Sequence, residues 1–451
     1  MTIILYNLEE HKETLQQIIS EQYKVLSFQN SEEIENSTHT NGHYIVVTTT
    51  EGKKEVESIF EENTLFLCVG NENKEKNDFF DVIKIPVDKE DVIEKIEKAS
   101  YHLEYQKMRL LYEPKKVSKT TDELGLYTKK FIENYLKSTN KLENRAILVY
   151  FNLEAVPLLH KIYGRQTTFK ALSNIVKQIK NVFPKLLLSR YHAFELVGTI
   201  IEEDYKEAEP LLSILSQKMI ELEGIPLPIE IIIRYQYYKP GIDNPEEIIK
   251  TLRKESIETR RNHVLNDKTR YLSQLQETLE SSNYESKDHI NNLEKLTIEF
   301  MKELNLSEVE KKNLTDAVRL HDIGKLGIAK SILEKPSKLT EEEYNEIKKH
   351  PEYGYHIVLF EGFPVVIAKA ILHHHERFDG MGYPAKLKGN KIPYLSRIIA
   401  ILDSFEVMTR GRVYKASMSE NEAINELERN KGTQFDPELV EKFIKVLKRK
   451  K

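Results

Sequence analysis

The sequence predicts a chain of three parts, two α/β units followed by an all-helical one. Three observations carry this. Short apolar, β-branched runs alternate with helical apolar spacing over residues 1–100, and the same alternation returns over 122–265. Beyond about residue 266 the strand signal fades and only helical spacing continues. A length of 451 residues agrees with three units at roughly 150 residues per domain.

In the first unit, Ile3–Tyr6, Tyr44–Val47, Leu65–Val69 and Val82–Val87 read as buried strands, and Glu10–Ser20 as a helix. Strands alternating with helices imply a parallel sheet covered on both faces. Ile93–Leu111 is helical and charged, a stalk leading to the next unit. In the second unit, Arg145–Phe151, Phe194–Ile201 and Ile229–Tyr235 read as strands. Phe169–Val182 and Pro245–Arg260 read as helices, the latter opened by its proline. The third unit carries helical spacing at Tyr271–Leu279, His289–Leu304, Ser307–Leu320, Glu341–His350 and Val365–His374. Ser307 with Glu310 has the spacing of a capping box. The expected boundaries are 1–105, a helical linker at 106–121, 122–265 and 266–451.

Composition excludes several classes. Lys and Arg number 67 against 72 Asp and Glu, a formal charge of −5, which rules out a strongly basic nucleic-acid coat or polybasic membrane binder. A single cysteine, Cys68, excludes a disulfide framework and any multi-cysteine zinc site. No apolar run reaches the roughly 18 to 20 residues that span a bilayer. The opening MTIILYNLEEHKE turns acidic too early for a signal peptide. A cytoplasmic protein without membrane insertion and without a nucleic-acid polymer partner is therefore expected.

Histidine is unevenly placed. His289, His321, His350, His356, His373, His374 and His375 account for seven of the 14. Histidine is the commonest metal ligand, so the cluster raises the case for a metal site. His321-Asp322 follows a helical run, with Gly324 marking a turn and Lys325 close behind. An adjacent imidazole and carboxylate can share one ion or bridge two. Glu285 and His289, four apart, share one face of a helix. His350, His374-His375 and Asp403, the last ending the apolar run Ile398–Leu402, complete the set. Glu285, His289, His321, Asp322, His350, His374, His375 and Asp403 are too many for one ion and point to two or three divalent metals, iron or manganese by donor type. His356 and His373 read as structural, and Glu376 either as a carboxylate that orients one imidazole or as an ordinary loop carboxylate.

The run His321-Asp322-Ile323-Gly324-Lys325, then His350-Pro351 with Gly354, His374-His375-Glu376, Asp379-Gly380-Met381-Gly382-Tyr383-Pro384, Ile392-Pro393, Arg397, Asp403 and Phe435-Asp436-Pro437 closely resembles the HD-GYP family of cyclic dinucleotide phosphodiesterases. The match covers 285–440, about a third of the chain. The resemblance implies hydrolysis of cyclic di-GMP to pGpG or GMP, and Glu285 matches members that hold a third metal. Asp322 and Lys325 are the expected catalytic pair. Lys325, Gly382, Tyr383, Pro384, Arg397, Arg412 and Lys415 are the expected substrate contacts. Tyr383 either stacks on guanine or packs its loop. Two places depart from the family: Glu406-Val407 stands for an Asp-Ala pair, and Arg412-Val413-Tyr414-Lys415 for Arg-Pro-Tyr-Arg. Divalent ions lower the pKa of water, so hydroxide is available to attack phosphorus in line at neutral pH.

Residues 122–265 resemble the GGDEF fold of diguanylate cyclases, through Asp122-Glu123-Leu124, Tyr163-Gly164 and Arg261-Asn262. The signature motif falls on Arg190-Tyr191-His192-Ala193-Phe194-Glu195-Leu196 and keeps one residue of its five-residue core, Glu195. The metal-binding aspartate position is Asn152. Cyclase activity is not expected. Residues 1–100 more faintly resemble a receiver, a flavodoxin-like fold, with Thr48 at the phosphoacceptor position. The front units are thus expected to mediate homodimerisation or contact with a signalling partner. Two rival readings stand beside this: a phosphodiesterase for another cyclic dinucleotide such as cyclic GMP-AMP, and a silent sensor or scaffold.

Overall fold

The computed structural model describes residues 2–449, except 7, 9–10, 29–32, 35–43, 57–63, 71–80, 85–86, 112–120, 139–145, 154, 202–211, 213–218, 223–224, 241, 267–276, 278, 280–286 and 411–416. Two compact units divide the chain, Met1–Glu113 and Pro114–Lys451.

In the first unit, β1 (Thr2–Tyr6), β2 (Lys24–Phe28), β3 (Tyr44–Thr48), β4 (Thr64–Gly70) and β5 (Asp81–Lys84) form one sheet in the order β2-β1-β3-β4-β5, with every pair parallel. Helices α1 (Lys12–Ser20), α2 (Thr50–Val56) and α3 (Lys89–Leu111) complete it. Alternation along the strands sends Ile3, Leu5, Ile45, Val47 and Leu67 to one face, where they pack with Leu15, Ile19, Val92 and Ile96. Tyr6 turns to the other face and meets Ile34 and Val56. β2 lacks a continuous apolar run and was not anticipated; Val25 packs on the core while Lys24 is exposed, as an edge strand permits. Helix α3 extends into the expected linker, whose residues 112–120 lie outside the described ones.

The second unit opens with a mixed sheet. Strands β6 (Tyr127–Thr128), β7 (Ala146–Asn152), β8 (Leu187–His192), β9 (Glu195–Ile201) and β12 (Ile232–Tyr238) lie in the order β12-β7-β9-β8-β6. β7 is buried at all seven positions, as its unbroken apolar run requires. The expected strand Ile229–Tyr235 is divided. Its first residues belong to β11 (Ile225–Glu230), which pairs with β10 (Met219–Leu222), and the rest to β12 against β7. A run of isoleucines satisfies either sheet equally, so hydropathy alone does not mark the turn at Ile231. Helix α4 spans Lys129–Ser138 and α6 Pro245–Asn266, longer than expected. Helix α5, Val156–Val182, begins well before the expected Phe169 and breaks at Gly164, whose φ of 74° and ψ of 175° suit only glycine.

The helical part follows: α7 (Lys287–Met301), α8 (Glu308–Leu320), a 3-10 turn (Ile323–Gly327), α9 (Lys330–Leu333), α10 (Glu341–Ile347), α11 (His350–Phe360), α12 (Val365–Leu372), α13 (Tyr394–Arg410), α14 (Glu420–Arg429) and α15 (Pro437–Arg449). The expected capping box forms at Ser307, and further ones form at Thr340 and Ser419. The expected helix Glu341–His350 ends at Ile347 instead, and α11 starts afresh at His350 with Pro351 in its first turn, the position proline favours. The expected Tyr271–Leu279 helix falls almost wholly outside the described residues. Phe443 of α15 packs at a tilt against Phe300 of α7, ring centroids 4.9 Å apart, and edge-on against Phe405 of α13 at 5.3 Å, tying three helices together. The 3-10 turn presses on α11 so closely that a Cβ on Gly324 would lie 1.8 Å from the His350 carbonyl oxygen. Among the described residues no helix is long and apolar enough to cross a membrane.

Candidate metal centre

The candidate ligands sit at or beside helix ends, apart from Asp403 within α13. His289 is in the first turn of α7, His321 closes α8, Asp322 leads into the 3-10 turn, His350 opens α11, and His374-His375 follow α12. The last turn of a helix leaves carbonyls without intrahelical partners. Three imidazoles use them: Nδ1 of His321 bonds Val318 O at 2.8 Å, that of His350 bonds Ile347 O at 2.7 Å, and that of His374 bonds Ile371 O at 2.6 Å. A carbonyl only accepts, so each Nδ1 carries the proton and each Nε2 presents a lone pair.

These lone pairs converge. Ligand atoms of Asp322, His350, His374 and His375 gather within 4.8 Å of one another, and those of His289, His321 and Asp403 form a second such group. Asp322 joins the groups: Oδ1 lies 3.1 Å from His350 Nε2 and Oδ2 3.4 Å from His321 Nε2. His350 Nε2 faces His374 Nε2 at 3.4 Å. Two lone pairs aimed at each other repel, and a cation between them removes the conflict. The donor set therefore fits a divalent ion in each group, with Asp322 as the bridge. His289 Nε2 lies 3.7 Å from Asp403 Oδ1, and its Nδ1 bonds Glu406 Oε2 at 2.5 Å.

Electrostatics agree with deprotonated ligands. Burial, reinforced by neighbouring imidazoles, drives the pKa of His374 and His375 well below the usual histidine value. Burial opposes ionisation of Asp322, but Lys325 and His321 prevail and hold it well below the carboxylate range. The Lys325 ammonium contacts Asp322 Oδ2 directly.

The loop at 379–387 lies beside this centre. Tyr383 stacks on His375, ring centroids 4.9 Å apart, and its N–H donates to the His375 carbonyl at 3.3 Å. The Tyr383–Pro384 peptide is cis. A Cβ on Gly382 would lie 2.3 Å from the Arg377 nitrogen, so the loop folds back only with glycine there. Lys348, unanticipated, holds its ammonium over the rings of Tyr344 at 4.6 Å and Tyr383 at 5.9 Å.

Of its two expected roles, Glu376 takes that of a loop carboxylate. Its carboxylate accepts from the N–H of Ala385 at 2.7 Å and of Leu387 at 3.2 Å, so it buckles the loop; the imidazole beside it, at 3.5 Å, belongs to His373. His356 and His373 line an open cavity beside Pro384 and Ala385. Arg397, an expected substrate contact, is held within the chain. Its guanidinium is committed to Asp436, to Asn390 Oδ1 at 2.9 Å and to the Ile392 carbonyl at 3.1 Å. Glu285, Arg412 and Lys415 lie outside the described residues. Sequence reasoning noted Glu406 only as a departure; its partner His289 is 117 positions away, and no local signal connects them.

Comparison with known proteins bears on this same region. Residues 254–439 match the HD domain family. A cyclic di-GMP phosphodiesterase of Thermotoga maritima is 42% identical over 148 residues, which are 32% of this chain and 40% of that protein. The cyclic di-GMP phosphodiesterase response regulator RpfG of Xanthomonas campestris is 41% identical, over 32% of this chain and 38% of its own. A 3'3'-cGAMP-specific phosphodiesterase of Vibrio cholerae is 41% identical, over 30% of this chain and 26% of its own. The chain thus spans about two fifths or less of each of these relatives.

Proposed function

We propose that the helical part is a metal-dependent phosphodiesterase that opens cyclic di-GMP to pGpG or GMP. One observation carries this reading: two ligand groups face each other across a single bridging carboxylate, Asp322. The HD domain match and relatives named for cyclic dinucleotide hydrolysis support it. His289, His321, Asp322, His350, His374, His375 and Asp403 would hold two divalent ions, iron or manganese, with Glu285 the candidate for a third. Such ions supply Lewis acidity at phosphorus and a water acidic enough to ionise near neutral pH. Asp322 spans the two positions and keeps them in register. Lys325, held by Asp322, places a positive charge beside the phosphoryl oxygens. Tyr383 offers a ring already seated on His375, and Gly382 and Pro384 set its loop. Arg412 and Lys415 are proposed as further phosphate contacts.

The front of the chain reads as two worn signalling domains. The parallel order β2-β1-β3-β4-β5 supports a receiver-like domain, and β3 ends in Thr48, where aspartyl phosphorylation has no acceptor. In the middle, the β8–β9 hairpin carries His192 and Ala193 where a GGDEF domain has glycines. These domains would serve homodimerisation or a signalling partner in the cytoplasm. The cGAMP-specific relative, as similar as the others, makes cyclic GMP-AMP the second substrate to try.

The test is anaerobic. Protein loaded with iron or manganese is given cyclic di-GMP and cyclic GMP-AMP, and products are resolved over time. Metal-dependent linear product, absent in His321→Ala/Asp322→Ala, is expected. No product from protein carrying two ions, or full turnover by the double variant, overturns the reading.

A further inference from the structure

The candidate ligand histidines are oriented by two different means. In three of the histidines a backbone carbonyl three residues earlier receives Nδ1–H. His289 stands in the first turn of α7 rather than past the end of a helix. Its Nδ1 instead meets Glu406, from the middle of α13. Glu406 is 2% exposed and held at both oxygens: Oε2 takes His289, while Asn292 Nδ2 donates to Oε1 at 3.4 Å and Arg410 stands 3.9 Å from it. Asp403 lies one turn before Glu406 on the same helix, so one helix face supplies a ligand and the brace for another.

We infer that Glu406 is the positioning residue of the His289–His321–Asp403 ion, and that it makes this ion's affinity separately adjustable from that of its neighbour. This inference rests on the reading that both groups hold ions. The chemistry is that of a carboxylate behind a ligating imidazole. It fixes the tautomer with Nε2 free, locks the ring, and raises the basicity of Nε2 more than a neutral carbonyl does. The Nδ1 atoms of His321, His350 and His374 meet backbone carbonyls instead. Glutamate matters here for its reach, since the carboxylate must cross from α13 to the first turn of α7.

The experiment uses the full chain, freed of metal and titrated anaerobically with Mn(II) alone, with bound ion followed by electron paramagnetic resonance. Parent protein should show two separable binding events. His289→Ala identifies which event belongs to its group. Glu406→Ala should weaken that same event by about 10- to 100-fold, the usual cost of losing such a partner, and leave the other within error. Glu406→Gln, which keeps the size and an acceptor oxygen but not the charge, should lose less in the same event. It carries the test should Glu406→Ala fail to fold. Both events weakening together, or neither weakening in either variant, overturns the inference. Because no nucleotide is present, the titration reads ion binding alone; two bound ions here, with no cleavage once cyclic di-GMP is supplied in a separate assay, would sink the phosphodiesterase reading while leaving this one standing.

Discussion

Arg397 separates a substrate contact from a structural clamp. Its side chain is 13% exposed and that of its partner Asp436 is 6% exposed. The guanidinium also donates to Asn390 and the Ile392 carbonyl, and lies 5.3 Å from the Tyr394 ring centroid. Asp436 caps α15 with its other oxygen, accepting from Glu438 N at 2.9 Å and Leu439 N at 3.2 Å. Replacing Arg397 by alanine therefore leaves a buried carboxylate without its counter-charge, which costs about 3–5 kcal/mol. The surviving backbone donors to Asp436 offset part of this, so about 3 kcal/mol is the better figure. For a helical part of this size, each kcal/mol moves Tm by about 2–4 °C, giving a fall of roughly 6–12 °C. The assay pairs calorimetry of the full chain with KM for cyclic di-GMP measured well below the new transition. A lowered Tm with KM nearly unchanged is expected. An unchanged Tm with a large rise in KM would refute the clamp and restore the substrate role.

Two other consequences can be measured. His373 is pushed down to about 4 by burial, aided by Lys369, against an ordinary value of 6.5. The unfolded chain then binds the extra proton, so stability of the metal-free protein should hold above pH 6.5 and fall as pH drops from 6.5 toward 4. His373→Gln should flatten that fall, and an equal slope in both proteins would contradict it. The Tyr163 hydroxyl joins the sheet part to the 3-10 turn, donating to Leu326 O at 3.3 Å and accepting from Leu227 N at 3.4 Å. Tyr163→Phe should cost about 0.5–1.5 kcal/mol and speed amide exchange at 323–328; unchanged exchange would show the bridge does not steady the turn.

What could be read from the sequence follows from how far each signal reaches. β7 was legible because a strand buried on both faces needs an unbroken apolar run, and Ser307 because a capping box is complete within four residues. Five of the seven described candidate ligands, His321, Asp322, His350, His374 and His375, were legible because HD, HP and HH each place a metal-competent residue beside a helix end; the structure gathers all seven into two groups. Three things were not legible. Ile229–Tyr235 hid a change of sheet because isoleucine satisfies both. Glu376 looked like an imidazole's partner from adjacency, yet its carboxylate turns to backbone N–H groups 9 and 11 residues on. Glu406 and Arg397 find partners 117 and 39 residues away, and periodicity carries no information on such pairings.

The middle and helical parts satisfy their buried polar groups in different ways. In the middle part, Arg190 bonds Glu123 at 2.7 Å and reaches Asp122 at 3.7 Å, while Asp122 Oδ1 accepts two backbone N–H groups. Glu195 pairs with Arg253 at 2.9 Å, and Asn152 donates to Ser256 at 3.0 Å. Each of these groups has its counterpart within the chain, so a phosphate or a cation arriving there must break an ion pair before it gains one, and buried pairs are costly to break. The helical part is built the other way. Its imidazoles spend their protons on carbonyls and on Glu406, and turn their lone pairs toward one another and toward carboxylates. That arrangement gains by taking up positive charge. The donor atoms of the helical part therefore suit a cation, whereas in the middle part arginine already stands against the acidic groups.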